Sequence, residues 1–201
     1  HTHLRTNSGL DNEDLSYLAI YRLDAVAAIE VDENALPRKI HYAHLLPAND
    51  ENKPWQIYPP TTVHELKDDF LELIGSLEEE LERNRTFNKP NSKGDNAILI
   101  HVSTQPLSVI EDSVQELMEL SRSAGIKVLD KIIQRRPPDP KYVMGQGKLK
   151  YILIRAVQLG ADMLVFDQNL TPSQVKSLSD FTDLKILDRT QVILDIFAQH
   201  A

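Results

Sequence analysis

The sequence of 201 residues contains no cysteine. This absence excludes disulfide bonds, zinc sites with thiolate ligands, iron–sulfur clusters and cysteine nucleophiles. It also favours a reducing compartment, so we expect a cytoplasmic protein. Long apolar runs are missing too, because each apolar stretch is interrupted by Asp, Lys or Arg before it reaches the ~18 residues that a membrane-spanning helix needs. We therefore expect no membrane span.

Familiar catalytic and phosphate-binding motifs are also absent. Gly147 and Lys148 are followed by Leu149 instead of a hydroxyl residue, and Tyr142 stands where a Walker motif needs its first glycine. The sequence contains neither a Gly-x-Ser-x-Gly elbow nor a three-glycine dinucleotide fingerprint. Its seven histidines show no metal-binding spacing. We predict that this chain has no catalytic residues, no metal site and no cofactor of its own.

What is present is an ordinary globular composition with an uneven charge distribution. Apolar residues make up 41% of the chain, and the net charge is −8. The segment 62–85 carries eight acidic and three basic residues, whereas the segment 127–155 carries eight basic and two acidic residues. An acidic protein with one concentrated basic stretch indicates an anionic partner for that stretch. The alternative is a solvated face that balances the acidic segment.

The polar stretch 83–95 contains Pro90, Gly94 and no apolar periodicity, so we predict a linker there. It separates a region over residues 1–88 from a region over residues 95–201. The chain starts with His1 instead of an initiator methionine or a signal peptide, so we expect it to be part of a longer protein.

The first region has the pattern of a small α+β unit. It starts with a short apolar pattern at Leu15–Leu23. We predict strands at Ala25–Val31 and Ile40–Leu46, and a long amphipathic helix that starts at a Thr62–Glu65 capping box. The apolar face of that long helix comprises Leu66, Phe70, Leu73, Ile74, Leu77 and Leu81.

In the second region, strands alternate with helices, which predicts an α/β fold with a mostly parallel sheet and flanking helices. The predicted strands are Ala97–Val102, Ile126–Ile133, Asp162–Phe166 and Leu184–Leu187. The predicted helix signals are capping boxes at Ser108–Glu111, Thr171–Gln174 and Asp188–Gln191, helix ends at Gly125 and Gly160, and a helix from Lys148 to Leu159.

In a parallel sheet the carboxyl ends of all strands meet at one edge, and ligands bind there in open α/β sheets. The polar residues predicted at this edge are Thr104, Gln105, Gln134, Arg135, Arg136, Asp167, Gln168, Asp188 and Arg189. Taken singly, each aspartate is better explained by local structure, Asp167 as a turn residue and Asp188 as a helix cap. The loop Gly145–Lys148 leaves three alternatives open, namely contact with an RNA phosphate, contact with a nucleotide phosphate, or neither.

Residues 97–201 resemble the N-terminal domain of the HflX family of ribosome-associated GTPases. The blocks that carry the resemblance are Ile133-Gln134-Arg135-Arg136, Pro140, Gly145-Gln146-Gly147-Lys148, Gly160-Ala161-Asp162, Val165-Phe166-Asp167, Leu170-Thr171-Pro172-Ser173-Gln174, Leu187-Asp188-Arg189-Thr190 and Ile193-Leu194-Asp195-Ile196-Phe197-Ala198. His200 departs from the Arg that is usual in the family. The blocks Arg22-Leu23-Asp24-Ala25 and Tyr42-Ala43-His44-Leu45-Leu46-Pro47 resemble an N-terminal extension of some photosynthetic-bacterial members, for which no activity is implied.

The resemblance implies a parent protein that binds the large ribosomal subunit, hydrolyses GTP and separates or rescues stalled ribosomes. The GTP and Mg²⁺ site is expected in a GTPase domain beyond Ala201, and that domain is itself an expected partner. In this interpretation the present chain docks on ribosomal RNA and is not an enzyme. The expected RNA-binding residues are Arg135, Arg136, Gly145, Gly147, Lys148, Lys150 and Arg155.

Two further hypotheses belong to other functional classes. The first is a regulatory domain that binds ATP at the sheet edge, with Gln134, Asp167, Asp188 and Arg189 as the candidate nucleotide-binding residues. The second is a hydrolase that uses Asp167 and Asp188. It is the weakest of the three hypotheses, because the sequence shows neither a recognisable nucleophile nor a general-base histidine at a strand end.

Overall fold

A computed structural model describes residues 9–49, 53–62, 64–66, 69–88 and 95–200. The first region contains α1 (Asn12–Ile20), β1 (Ala25–Val31), β2 (Pro37–Leu45), β3 (Trp55–Ile57), β4 (Thr61–Thr62) and α2 (Phe70–Asn88). The second region contains β5 (Asn96–Ser103), α3 (Leu107–Ser123), β6 (Lys127–Arg135), α4 (Gln146–Leu159), β7 (Met163–Phe166), α5 (Pro172–Ser179), β8 (Lys185–Asp188) and α6 (Arg189–His200).

The first region contains an antiparallel sheet built on a hairpin. Strand β2 pairs with β1 along one edge and with β3 and β4 along the other. The Asp32 carboxylate closes the hairpin by accepting hydrogen bonds from the backbone N–H groups of Asn34 and Leu36, each 2.9 Å long. Such Asx-type bonds stabilise a reversal of the chain. The predicted strands at 25–31 and 40–46 are both confirmed, whereas β3 and β4 were not predicted from the sequence.

The second region contains a parallel four-stranded sheet in the order β6-β5-β7-β8. This confirms the predicted α/β class, and each of the four predicted strands is found within two residues of its predicted bounds. The strand order matters for function because it makes β5 and β7 neighbours. The carboxyl end of β5 therefore lies beside the carboxyl end of β7.

Helices cover both faces of the parallel sheet. On one face Ile98, Ile100 and Phe166 pack against Leu149 and Leu153 of α4. The other face packs against α3 and α6, with a core formed by Ala97, Leu99, Val165, Ile110, Val114, Leu117 and Val192. Odd-numbered residues of β5 thus face α3 and α6, while even-numbered residues face α4. His101 and Ser103 are consequently directed towards α3 and α6.

The two regions are joined by a packed contact between α1 and α4. Leu15, Leu18 and Ile154 belong to one buried apolar cluster that also includes residues of β2. Gln158 of α4 reinforces the contact, because its side-chain amide donates to the carbonyl oxygens of Leu46 (3.1 Å) and Lys53 (3.4 Å).

The long helix begins later than its sequence predicts. Thr62 belongs to β4, and its hydroxyl donates to the Glu65 carboxylate instead of capping a helix. Asp69 supplies the cap, since its carboxylate accepts from the backbone N–H groups of Leu71 (3.0 Å) and Glu72 (3.2 Å). The predicted capping box at Thr62 is therefore wrong.

The predicted apolar face of that helix is only half-buried at Leu66, Leu73, Ile74, Leu77 and Leu81, and Phe70 is exposed. The helix extends to Asn88, through the first part of the predicted linker, and positions 89–94 of that linker lie outside the described residues.

The other predicted helix signals have mixed outcomes. The capping box at Thr171–Gln174 forms with Pro172 in the first turn, and Asp188 and Gln191 exchange the bonds of a second box. Gly125 and Gly160 adopt positive φ angles of 74° and 68° at helix ends, as predicted. The predicted box at Ser108 is wrong, because α3 already begins at Leu107 and its N-cap, Pro106, offers no side-chain acceptor.

Candidate functional site

Asp167 lies at the carboxyl edge of the parallel sheet, directly after β7, and is the centre of a buried polar cluster. One carboxylate oxygen accepts from the Arg189 guanidinium at 2.7 Å and 2.9 Å. The other accepts from the Ser113 hydroxyl at 2.7 Å and from Nδ1 of His101 at 2.5 Å. The Asp167 side chain is only 2% exposed. These contacts show that the edge predicted from the sequence does bring Asp167 and Arg189 together.

The same cluster holds Arg189 at three further points. Its guanidinium contacts the Glu116 carboxylate at 2.8 Å and donates to the backbone carbonyl (2.9 Å) and the hydroxyl oxygen (3.0 Å) of Ser113. Since Glu116 and Ser113 both belong to α3, Arg189 ties the start of α6 to α3 across the end of the sheet. Its donors are directed towards protein partners, which leaves Arg189 poorly placed to bind a free anion.

The ionisation of this cluster follows from its contacts. Burial opposes the charged form of Asp167, but hydrogen bonds from Ser113, His101 and Arg189 outweigh burial and lower the pKa of Asp167. Burial likewise opposes the charged form of Arg189, whereas its bonds to Glu116 and Asp167 raise the pKa of Arg189. The cluster therefore contains an ionised aspartate and an ionised arginine.

His101 and Ser103 complete the cluster, and neither was predicted as a site residue. Nε2 of His101 lies 2.9 Å from the Ser103 hydroxyl oxygen, while Nδ1 faces Asp167. The signal available in the sequence was a single histidine in an otherwise apolar strand, two residues before a serine at the strand's carboxyl end. The contact with Asp167 could not be predicted, because it depends on β5 and β7 being neighbours.

The remaining predicted nucleotide-binding residues do not join Asp167 and Arg189. Asp188 accepts from the backbone N–H of Gln191 (2.9 Å) and of Leu170 (3.1 Å), so both its oxygens serve local structure. Gln134 belongs to β6 at the opposite side of the sheet, two strands away from β7, or roughly 10 Å at the usual strand spacing. Its side-chain oxygen is buried and has no partner among the described residues.

Part of the predicted RNA-binding set gathers around the N-terminus of α4. Gly145 is the N-cap and provides no side-chain acceptor for the first backbone N–H groups of that helix. A Cβ atom on Gly145 would lie 2.8 Å from the Arg136 guanidinium, so this glycine permits Arg136 to approach the helix start. Gly147 has open space on its Cα, and Arg135 is exposed at the end of β6. Exposed N–H groups beside cations form an anion-binding arrangement.

The three remaining basic residues of that set lie along α4 and have local contacts. Lys148 stacks over the ring of Tyr151 at 4.3 Å from its centroid. Lys150 lies 4.0 Å from the Glu13 carboxylate of α1, and Arg155 forms a 3.1 Å pair with Asp130. Arg155 lies on the second half of the helix, away from the sheet edge, and is thereby separated from Arg135 and Arg136.

A groove of about 600 Å³ runs between α1, β3 and α4. Its walls include Trp55 from the first region and Tyr151, Lys150, Arg155 and Gly147 from the second. Volume and location are those of ordinary ligand sites, which occur preferentially at contacts between structural units. Among the described residues, His, Asp and Glu side chains nowhere come together in threes or more to hold a metal ion. None of the described helices combines the length and the apolar character of a membrane span.

Comparison with known proteins shows which proteins the second region is similar to. Residues 111–198 match the family model described as GTP-binding GTPase N-terminal. The predicted resemblance to the HflX family is confirmed. The GTPase HflX of Flavobacterium psychrophilum is 40% identical over 110 residues, which cover 53% of this chain and 27% of that protein. The GTPase HflX of Escherichia coli K12 is 38% identical over 109 residues, which cover 54% of this chain and 25% of that protein.

A third relative, the GTPase HflX of Caldanaerobacter subterraneus, is 33% identical over 129 residues, which cover 64% of this chain and 28% of that protein. The chain thus matches about a quarter of the length of these HflX relatives. The HflX-like N-terminal region carries both the polar cluster around Asp167 and the basic residues at the start of α4.

Proposed function

We propose that this HflX-like region docks a parent GTPase on the large ribosomal subunit, in support of ribosome splitting or rescue. The observation that carries the proposal is the basic surface at the carboxyl end of β6 and the N-terminus of α4. We call it the docking surface and define it by Arg135, Arg136, Lys148 and the backbone of Gly145 and Gly147. In this proposal GTP and Mg²⁺ bind in a GTPase domain outside these 201 residues, in the cytoplasm.

The chemistry of the docking surface suits RNA phosphates. Arg135 is exposed, and Arg136 lies against Gly145, where the first N–H groups of α4 have no side-chain cap. Lys148 adds a third cation one turn further along the helix. Contacts of this kind bind the RNA backbone without reading its sequence, and they weaken as salt displaces them. The role needs no catalytic group.

Charge reversal at the docking surface tests the proposal. The chain carrying Arg135→Glu, Arg136→Glu and Lys148→Glu is compared with wild type by co-sedimentation with purified large ribosomal subunits at low and moderate salt. We expect wild-type binding that decreases as salt rises, and a loss of binding of at least about tenfold in the triple variant. A matched control carries Arg122→Glu, Lys176→Glu and Lys185→Glu, three exposed basic residues elsewhere that change the net charge equally.

The control variant distinguishes a loss of binding caused by the docking surface from a loss caused by the change in net charge. Equal losses in the two triple variants would contradict the docking surface, as would unchanged binding in the Arg135, Arg136 and Lys148 variant. Circular dichroism of both variants establishes that each remains folded.

The groove between α1, β3 and α4 favours a second candidate function, the binding of a nucleotide such as ATP. Trp55 and Tyr151 offer aromatic faces to a base, and Lys150 and Arg155 offer cations to phosphates. Thermal unfolding with and without ATP tests this candidate, because a ligand at a hundred times its Kd stabilises the folded state by about 2.7 kcal/mol. Stabilisation that Trp55→Ala abolishes would favour the groove, and an unchanged melting temperature at millimolar ATP would contradict it.

A further inference from the structure

A serine, a histidine and an aspartate form a continuous hydrogen-bonded chain at the carboxyl edge of the parallel sheet. The Ser103 oxygen lies 2.9 Å from Nε2 of His101, and Nδ1 of the same ring lies 2.5 Å from the Asp167 carboxylate. Because ionised Asp167 only accepts, Nδ1 carries a ring proton, and in the neutral imidazole this leaves Nε2 as an acceptor for the Ser103 hydroxyl proton. This is the arrangement in which a histidine acts as a general base towards a serine.

The rest of the cluster fixes this geometry. Ser113 donates to the same Asp167 oxygen that faces His101, at 2.7 Å, and Arg189 binds the other oxygen. The Asp167 carboxylate can therefore not rotate away from the histidine without losing these bonds. Its side chain is 2% exposed and that of His101 is 7% exposed, so water competes little for either group.

Ser103, in contrast, reaches the surface. It is half-buried and is the last residue of β5, at the edge where ligands bind in open α/β sheets. Four residues further along the chain α3 begins at Leu107, and the first N–H groups of that helix have no side-chain cap because its N-cap is Pro106. Uncapped N–H groups of this kind can stabilise the oxyanion that forms when a carbonyl is attacked.

We propose that Ser103, His101 and Asp167 form a catalytic triad that hydrolyses carboxylic esters. The Ser103 oxygen bonds to the carbonyl carbon of the ester while its proton moves to Nε2 of His101. The tetrahedral intermediate then expels the alcohol, which takes that proton from Nε2 and leaves an acyl group on Ser103. A water molecule, deprotonated by Nε2, attacks the acyl-serine and releases the carboxylic acid, and the proton on Nε2 returns to the Ser103 oxygen.

The neighbouring strand indicates the class of ester. Arg135 is the register partner of Ser103 in the parallel pairing of β5 with β6, so both side chains emerge on the same face at adjacent positions. Arg135 is exposed and can pair with an anion close to the bond that breaks. The substrate class is therefore a carboxylic ester that carries a negative charge near its carbonyl group.

Two measurements on the 201-residue chain test the triad. A fluorophosphonate probe reacts covalently with activated serines, and we expect peptide mass spectrometry to find its adduct on Ser103. Hydrolysis of 4-nitrophenyl butyrate and of the anionic mono-4-nitrophenyl glutarate is then followed by absorbance. We expect Ser103→Ala and His101→Gln to lower kcat/KM for both esters at least about hundredfold, and Arg135→Gln to raise KM for the glutarate alone.

Ser123 provides the matched control, because it is an exposed serine of α3 that contacts only the Glu119 carbonyl among the described residues. Ser123→Ala should retain both the adduct on Ser103 and the wild-type rates. Absence of an adduct on Ser103 in the wild-type chain would overturn the proposal without any substitution. An equal adduct in His101→Gln, or a wild-type rate in Ser103→Ala, would overturn it too, since the cluster would then have a purely structural role.

Discussion

At the scale of single residues, the most constrained side chain is Asp167. It is almost fully buried, it is ionised, and it accepts from three different elements, β5, α3 and α6. A buried charge is tolerated only when its partners satisfy it, so each partner is energetically linked to the others. The cluster thus fixes the relative positions of three elements as well as the orientation of His101.

Removing the charge of Asp167 should be costly, because Arg189 then loses its buried partner. We expect Asp167→Asn to lower the free energy of unfolding by roughly 3 kcal/mol. The control is Asp130→Asn, which breaks a similar pair with Arg155 whose side chains are about 30% exposed, and should cost less than about 1 kcal/mol. Urea unfolding measures both, and equal losses would contradict the special role of Asp167.

The lowered pKa of Asp167 also predicts the direction of a pH dependence. The unfolded chain binds a proton at this position at higher pH than the folded protein does, so stability rises with pH between the two pKa values. The contribution is complete above about pH 4, the ordinary range of an aspartate, and is lost as pH falls through the lower folded value. Urea unfolding from about pH 3 to pH 6 should show this slope in the wild type.

Asp139 and Glu30 also have lowered pKa values, Asp139 because backbone N–H groups of Tyr142 and Lys141 bond to it and Glu30 because His41 does. They contribute in the same direction. The quantity that isolates Asp167 is therefore the difference between wild type and Asp167→Asn, which should shrink as the pH falls. A difference that is constant with pH would contradict the prediction.

At the scale of secondary-structure elements, some helix starts follow from the local sequence and others do not. The boxes at Thr171–Gln174 and Asp188–Gln191 form as predicted because their partners are three residues apart. The Thr62–Glu65 pair has the same spacing, yet strand β4 recruits Thr61 and Thr62 to pair with β2. Tertiary pairing therefore overrode a local cap, and Asp69 took its place.

Alanine substitution at the glycines near the two ends of α4 should change the free energy of unfolding in opposite directions. Gly160 ends the helix with φ of +68°, a conformation that an L-residue with a Cβ adopts only with strain, so Gly160→Ala should destabilise by about 1 kcal/mol. Gly147 lies in the first turn with open space around its Cα, so Gly147→Ala should stabilise by about 0.5 kcal/mol. Thermal unfolding of the two variants, with wild type between them, checks the signs, and a shift of the same sign in both would contradict the prediction.

At the scale of the whole molecule, the contact between α1 and α4 decides whether the two regions act as one unit. Leu18 is fully buried there, and Trp55, the only tryptophan of the chain, packs against the same cluster. The two regions are in contact in the folded chain, since α1 packs against α4 of the second region. The domain boundary predicted at residues 88–95 stays a prediction.

We expect the two regions to unfold together. Tryptophan fluorescence reports on the first region and far-ultraviolet circular dichroism on the whole chain, and their urea transitions should coincide. Leu18→Ala should lower the free energy of unfolding reported by both probes by about 2–5 kcal/mol, because it leaves a cavity between α1 and α4. Leu71→Ala, at a leucine that is 82% exposed, is the control and should change stability by no more than about 0.5 kcal/mol. Separate transitions would contradict a single unit.

The sequence by itself determined the elements of the second region and the edge at which its polar residues meet. Apolar periodicity, capping boxes and terminal glycines act within about four residues, so they can be read locally. The same information predicted that Asp167, Arg189 and Arg135 would lie at the carboxyl edge of a parallel sheet, and the blocks around them carried the HflX resemblance.

Only the tertiary structure decided which of these residues touch. His101 and Asp167 are 66 positions apart and meet because β5 and β7 are adjacent in the strand order. The same order keeps Gln134 apart from Asp167, and the packing of α1 on α4 pairs Lys150 with Glu13. Strand order and helix packing are set by the burial of apolar faces over the whole chain, which no local pattern encodes.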